Sequence, residues 1–287
     1  MAEAQISVII VSWNVKECLR KCLQSLEKES SFYPLEIIVI DNASVDGSGA
    51  MVRQEFPQVK LVEQNYNSGF AAGCNLGVQN SKGEYLLFLN PDTQVNAGFF
   101  ELLLRFWSQH QSAGVVGGKI LNSDGSVQSS VRSWPSLWSS ILDSLKILKR
   151  WPALAPGYLL PGFDYASEQV VDQVMGAVLA TKRKVWDELK GFDEGFWIWF
   201  EEVDFCQRVK RASYEVWYSP FMTVNHIQGA SFVQLPLLKR HRFFSKSLLL
   251  YVKRYLGWGP WLIIWFATKV WYPVAFIIDL VKYGKYN

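Results

Sequence analysis

The sequence predicts an α/β fold: a mostly parallel central sheet flanked by helices, followed by a C-terminal tail of amphipathic and then hydrophobic helix. Three observations lead there. Short β-branched apolar runs recur along the first half, helix-patterned segments separate them, and a lysine- and tryptophan-rich stretch closes the chain. Ile6–Ser12 (ISVIIVS) has the composition of a strand buried on both faces. Glu17–Glu29 carries apolar or thiol side chains at Cys18, Leu19, Cys22, Leu23 and Leu26, a helical spacing. Leu35–Ile40 reads as a second strand, Ser48–Phe56 as a helix, Val59–Glu63 as a third strand and Glu84–Leu89 as a fourth. Glycines punctuate Asn67–Gly77 ahead of a short helix, and Phe99–His110 (helix) and Ala113–Leu121 (strand) follow. This alternation implies right-handed crossovers and a ligand crevice beyond the carboxyl ends of the strands. Asp41 and Asn90–Asp92 each follow a strand, so both are expected to line that crevice. After Gly125 the pattern weakens. The Trp- and Pro-rich Ser133–Gly162 reads as a loop-helix-loop insertion over the site. Order returns with Val174–Thr181, with Gly191–Ser213, where acidic residues open an amphipathic helix, and with the strand-like Val216–Ser219.

Composition narrows the class. Hydrophobic residues make up 49% of the chain and aromatic residues 15%, with 13 Trp, which excludes a disordered protein. The net charge of +3 conceals a segregation. From Cys206 onward there are 12 Lys/Arg against Glu215 and Asp279 alone, whereas the preceding residues carry 17 basic and 24 acidic side chains. A basic, aromatic-rich end fits an anionic lipid surface, and no nucleic-acid partner is expected. Cys18, Cys22, Cys74 and Cys206 make no C-x-x-C pair and read as reduced thiols of a cytoplasmic protein; the N-terminus shows no signal peptide.

Three constellations can carry chemistry. Asn90-Pro91-Asp92 places a carboxylate at a strand terminus, where it can hold Mg²⁺ or Mn²⁺ against a diphosphate, although Asn-Pro-Asp is also an ordinary turn. Trp199–Phe205 sets Glu201, Glu202 and Asp204 among aromatic rings. Desolvation and like-charged neighbours raise carboxylate pKa values there, which suits a general base; the same acids would also suit the first turn of any helix. His226 follows a strand and is a candidate further metal ligand, though a lone His is more often structural.

The order of the short motifs carries a resemblance. Val11-Ser12-Trp13-Asn14, Asp41-Asn42-Ala43-Ser44, Asn67-Ser68-Gly69-Phe70, Asn75-Leu76-Gly77, Asn90-Pro91-Asp92, Gly176-Ala177, Gly191-Phe192-Asp193-Glu194, Glu201-Glu202-Val203-Asp204 and His226 with Gly229-Ala230-Ser231 follow one another over roughly residues 5–235. In that order they resemble family 2 glycosyltransferases of the GT-A (Rossmann-like) fold, in particular non-processive, rhamnosyltransferase-like members that build bacterial surface polysaccharides. The resemblance implies a division into a catalytic domain over 1–235 and a membrane-associating tail over 236–287. It also implies roles: a nucleotide-sugar site drawn from Val11, Ser12, Trp13, Asn14, Asp41, Asn67, Gly69, Asn75, Asn90, Gly176 and Ala177. Asp92 and His226 would hold the divalent cation, Glu202 would be the base with Glu201 as its alternative, and Asp204 would orient the loop. Arg132 and Arg183 are further candidates for phosphate contacts. One base without a second enzymic carboxylate implies inversion at the anomeric carbon. The chain lacks the Gln-x-x-Arg-Trp motif of processive synthases, so one sugar is expected to be added to a glycan or lipid-linked acceptor. Rhamnose from dTDP-rhamnose leads by resemblance, with galactose, glucose, mannose and N-acetylhexosamine on UDP or GDP open.

The tail remains open three ways. Lys239–Arg254 mixes six Lys/Arg with an apolar stripe, as an interfacial helix does. Trp258–Val281 is long enough to span, yet Lys269, Pro273 and Asp279 interrupt it. In-plane helices on the inner face of the membrane lead over a true span and over a dimer contact. Two other enzyme classes are disfavoured because their glycine-rich phosphate loops are missing after the first strand: a sugar-nucleotide pyrophosphorylase and an NAD-dependent dehydrogenase. A sugar-nucleotide-binding protein without turnover is the non-enzymatic alternative.

Overall fold

The computed structural model describes residues 5–227 and 234–283. Its centre is a nine-stranded mixed sheet. Strands β1 (Ile6–Ser12), β2 (Leu35–Asp41), β3 (Lys60–Glu63) and β4 (Tyr85–Leu89) run parallel in the order β3-β2-β1-β4. Helices α1 (Lys16–Ser30), α2 (Ser48–Glu55) and α3 (Phe70–Gln79) connect them. All seven residues of β1 are buried, as its apolar run requires. Alternate side chains face opposite layers. Val8, Ile10, Val39 and Leu87 pack with α1, α2 and α4 (Phe99–Gln109), while Ile9, Ile38, Leu86 and Phe88 pack with α3, α7 (Arg183–Glu188) and α8 (Glu201–Arg211). Two cores on the two faces of one sheet make a three-layer sandwich.

Beyond β4 the sheet becomes mixed. The short β5 (Thr93–Val95), β6 (Ala113–Leu121), β10 (Val178–Lys182) and β11 (Glu215–His226) extend it as β4-β10-β6-β11-β5, with β8 (Gln169–Val170) also on β11. β10 is antiparallel to both β4 and β6, so its start, not its end, arrives at the edge where β1, β2 and β4 terminate. β7 (Val131–Arg132) and β9 (Gln173–Val174) form a separate ribbon. The expected insertion over the site consists of α5 (Leu137–Ser144), a 3₁₀ turn over Pro152–Leu154 and α6 (Pro156–Leu159). A capping box at Ser136 and Ser139 starts α5.

The tail consists of the expected amphipathic and then hydrophobic helix. α9 (Leu237–Tyr255) is followed by one continuous α10 (Trp258–Tyr283), with Pro273 inside it. α10 folds back on α9 and is fastened to it. Asp279 accepts from the backbone N–H of Leu237 and Leu238 at 2.8 Å each, capping a helix whose N-cap is proline, and His241 Nε2 lies 2.9 Å from the Thr268 carbonyl. Asp279 is therefore a cap, and its charge is spent on the α9 N-terminus. Phe196, Phe200 and Val203, just before and within α8, share a core with Leu248, Tyr251 and Val252 of α9 and Ile264 of α10.

Candidate active site

A cleft of about 640 Å³ opens at the strand-end edge of the sheet. Strand register accounts for its floor. Ser12 pairs with Asp41 at the ends of β1 and β2, so Val11, Ser12 and Trp13 emerge together with Asn42. His226 pairs with Thr93 across β11 and β5, and the Ile227 N–H donates to the Asp92 carbonyl at 2.9 Å. That pairing sets the His226 ring beside the Asp92 side chain. Nε2 of His226 lies 3.2 Å from Asp92 Oδ1, although it is not aligned for a hydrogen bond, and Nδ1 lies 3.0 Å from Gln128 Oε1. Both residues are buried, at 8% exposure for Asp92 and 5% for His226.

The opposite wall is the start of α8. Trp199 and Phe200 both adopt left-handed backbone (φ 61° and 72°), rare for bulky residues, and Phe200 is the N-cap. This double turn swings Glu201 and Glu202 into the cleft wall. Glu201 is buried at 4% exposure, and burial together with the Glu202 charge holds its carboxyl well above the ordinary glutamate range. Glu202 is half-buried; burial raises its carboxyl too, while Arg132 pulls it back. Oε2 of each carboxyl has no hydrogen-bond partner among the described residues. Gly176 faces Glu202: a Cβ there would lie 3.6 Å from Glu202 Cβ and Cγ, so the glycine leaves room beside the carboxylate. Ala177 closes the floor by accepting from Asn90 N at 3.0 Å.

Gly69 is fixed by sterics. Its φ is +93°, and a Cβ would lie 2.7 Å from Trp197 Cδ1, so only glycine permits this approach. Asn67 Oδ1 accepts from the Gly69 N–H, and Asn42 Nδ2 donates to the Gly69 carbonyl at 3.0 Å. The loop over 67–70 thus forms one rim of the cleft.

Of the residues singled out in the sequence, Val11, Ser12, Trp13, Asn67, Gly69, Asn90, Asp92, Gly176, Ala177, Glu201, Glu202 and His226 line this cleft. Five candidates stand outside its lining. Asn14 (φ 52°) instead ties β1 to the next turn, donating from N to Ser44 Oγ and accepting from Val45 N. Asp41 accepts from the Ser44 N–H, and burial raises its carboxyl; its neighbour Asn42 is the residue that reaches the cleft. Asn75 braces the turn at 191–194 by bonding both ways with the Phe192 backbone. Asp204 accepts from Arg208, Arg254 and Tyr255 at 2.6–2.7 Å, which fastens α8 to α9. Arg183 is committed elsewhere, donating to the Gly83 carbonyl and Ser81, whereas Arg132 lines the cleft. Gly229-Ala230-Ser231 lies outside the described residues. Asp143, Lys146, Lys149 and Tyr158, which the insertion brings to the rim, carry no local signal in the sequence.

A divalent cation can be tested against this donor set. Among the described residues no group of three or more His, Cys, Asp or Glu is gathered as a metal site. The cysteines are free, and burial pushes the nearby Cys22 thiol up to about 12, so it is no thiolate ligand. Asp92 and His226 remain, with a buried imidazole nitrogen that makes no hydrogen bond among the described residues. One carboxylate and one imidazole, beside open volume, suit a cation that takes its other ligands from a bound diphosphate and water.

Comparisons with known proteins agree with this architecture. The profile described as "Glycosyl transferase family 2" matches residues 7–175, and one described as "N-terminal domain of galactosyltransferase" matches 162–229. The N-acetylglucosaminyl-diphospho-decaprenol L-rhamnosyltransferase of Mycobacterium tuberculosis is 27% identical over 88% of this chain and 86% of its own length. Among solved structures, the mannosyltransferase PcManGT of Pyrobaculum calidifontis, in complex with GDP-Man and Mn²⁺, matches with a TM-score of 0.58 at 17% identity, covering 99% of this chain and 76% of that one. GalNAc-T7 with UDP, GalNAc and Mn²⁺ matches with a TM-score of 0.60 at 18% identity, covering 86% of this chain and 48% of that one. These likenesses fix the fold as GT-A. Because the first profile covers more than half of the sequence, the chain belongs to glycosyl transferase family 2.

Proposed function

We propose that the chain is an inverting, divalent-metal-dependent glycosyltransferase that adds one sugar from a nucleoside-diphosphate sugar to a lipid-linked acceptor in cell-surface glycan synthesis. The observation that carries this reading is that Glu202 lines the same cleft as Asp92 and His226, though the three come from separate segments. Val11–Trp13, Asn42, Asn67 and Gly69 form the end of the cleft that takes the nucleotide. Asp92 and His226 would hold Mg²⁺ or Mn²⁺. Bound there, the cation supplies neutralising charge for the departing nucleoside diphosphate. Glu202 takes the proton from the acceptor hydroxyl as that oxygen attacks the anomeric carbon opposite the diphosphate. A single in-line displacement of this kind inverts the centre. Trp197, Trp199 and Phe200 wall the reacting region with apolar surface and limit competing attack by water.

L-Rhamnose from dTDP-rhamnose is the donor sugar we favour, and a sugar diphosphate on a polyprenyl chain the acceptor, on the strength of the mycobacterial relative's name. The tail supports a seat on the cytoplasmic face of the cell membrane. Lys239, Arg242, Lys246 and Lys253 are exposed on α9, and Phe266, Val270 and Ile277 are exposed on α10. α10 is long and apolar enough to cross a bilayer, yet Asp279 is held by the start of α9 and Lys269 is exposed. An in-plane hairpin keeps both at the polar boundary.

The test is Glu202→Gln. Donor affinity in Mn²⁺ should stay within about twofold of wild type while sugar transfer falls by at least roughly 10²-fold, the lower range for loss of a general base. Near-normal transfer would move the role to Glu201.

A further inference from the structure

The rim of the cleft nearest the tail is cationic, with three basic side chains against the single acid Asp143. Arg132, Lys146 and Lys149 line it together, and none of them forms an ion pair with a carboxylate of the described residues. The neighbouring acid is Asp143, whose carboxyl is raised by burial while Lys146 and Arg132 oppose that shift, so one acid faces three cations. Lys146 sits at a left-handed backbone position (φ 58°) with its Nζ 3.5 Å from the centroid of the Phe244 ring on α9. Burial pushes the Lys146 ammonium down, and Asp143 opposes that shift. An incoming anion would relieve the same desolvation cost far better.

Position separates this rim from the cation site. The charge effects on Arg132 come chiefly from Tyr158, Asp143 and Glu202, and Arg132 Nη1 donates to Tyr158 Oη at 3.4 Å. Asp92 is paired with His226 instead. Glu202 thus shares the cleft with two different donor sets, the Asp92–His226 pair that would hold a cation and the cationic rim that includes Arg132. The loop with Lys146 and Lys149 follows directly after α5, whose Leu137 and Ile141 pack against the cluster that includes Trp261 and Ile264 of α10. The second region thus adjoins the apolar tail hairpin.

We propose that Arg132, Lys146 and Lys149 form a subsite for the diphosphate of a prenyl-diphosphate-linked acceptor, with the prenyl chain leaving toward α10. This rests on the transferase reading above and adds to it where the acceptor's anion is held. Two diphosphates then flank one base: the donor's near Asp92 and His226, the acceptor's near Lys146.

Binding of farnesyl diphosphate, which carries no sugar, tests the subsite apart from turnover. The full chain is titrated calorimetrically with it in the presence of Mn²⁺ and a saturating nucleoside diphosphate (dTDP, UDP or GDP, whichever binds). Farnesyl diphosphate is expected to bind alongside the nucleotide. Lys146→Met and Lys149→Glu should each weaken it about tenfold or more, as loss of a charge-assisted contact does, and leave nucleotide affinity within about twofold. Lys149 is exposed, so its substitution reads the charge without disturbing packing. The subsite is overturned if farnesol binds as well as farnesyl diphosphate, if the nucleotide displaces the prenyl ligand, if wild type binds no prenyl diphosphate, or if both substitutions weaken the nucleotide equally. Failure of the transferase reading looks different: no nucleoside diphosphate binds, while the prenyl titration still returns its own answer.

Discussion

Glu201 and Glu202 are adjacent in sequence and unequal in setting. Glu201 is buried against α3, where its charge also bears on Cys74, whereas Glu202 opens to the cleft within reach of the Arg132 field. Two such acids titrate as a pair, and the proton settles on the more deeply buried one. Burial and the Glu202 charge thus favour the protonated form at Glu201, whereas Arg132 pulls Glu202 back toward its charged form. A glutamate whose folded pKa lies above its unfolded value of about 4.3 stabilises the fold only below that value, and its contribution is lost as pH rises toward the folded pKa. Glu201→Gln removes this penalty. Its melting temperature should exceed that of wild type at pH 7.5, and the gain should vanish by about pH 4; an unchanged difference across that range would deny that folding raises the Glu201 carboxyl. Asp92, Glu202 and His226 were legible because strand ends and an acid cluster amid aromatics are local signals. Asp204 and Asn75 were not. Their neighbours in the sequence do not reveal that one binds the tail and the other a turn more than a hundred residues away. Lys146 and Lys149 gave no signal either, since lysines in a loop-rich insertion are ordinary.

At the level of elements, strands were easier to find than to orient. The five residues of β10 are apolar enough to be recognised as ordered, but nothing in five residues says that they run antiparallel to β4. β5, β7, β8 and β9 have two or three residues each and fall below any periodicity. For α10 the sequence misleads in a physical way. Pro273 removes one backbone bond and should break a solitary helix, yet packing on α9 carries the helix through it. Asp279 reads as a charge out of place until α9 supplies two N–H donors for it. Asp279→Ala should cost about 1 kcal/mol, the usual worth of a cap, and lower the melting temperature by roughly 2–4 °C. Asp279→Asn, which keeps one acceptor oxygen, should lose less. Equal melting of all three proteins would show that the cap contributes nothing.

The whole molecule is polarised. The end of the cleft lined by Val11, Ser12 and Trp13 lies over the parallel half of the sheet, and the other end abuts a cationic, apolar hairpin. The chain is therefore expected to co-sediment with vesicles containing about 30% phosphatidylglycerol far more than with neutral ones, and binding should decline as salt rises because each surface Lys or Arg contributes about 1 kcal/mol to the attraction. Phe266→Ser combined with Ile277→Ser, both at side chains more than half exposed, should reduce binding at any salt without lowering the melting temperature. Salt-independent binding, or binding untouched by the double substitution, would argue for a different docking face.

The strained pair Trp199 and Phe200 has a corollary for how this protein can be handled. Those two residues aim the glutamates, and the clamp that keeps them from relaxing is made of α9: Tyr251 against Phe200, Ser247 holding the Ile198 carbonyl, Arg254 and Tyr255 gripping Asp204. Clipping off the greasy end to obtain a better-behaved soluble fragment would release that spring, and the truncated enzyme would lose its chemistry along with its greasiness.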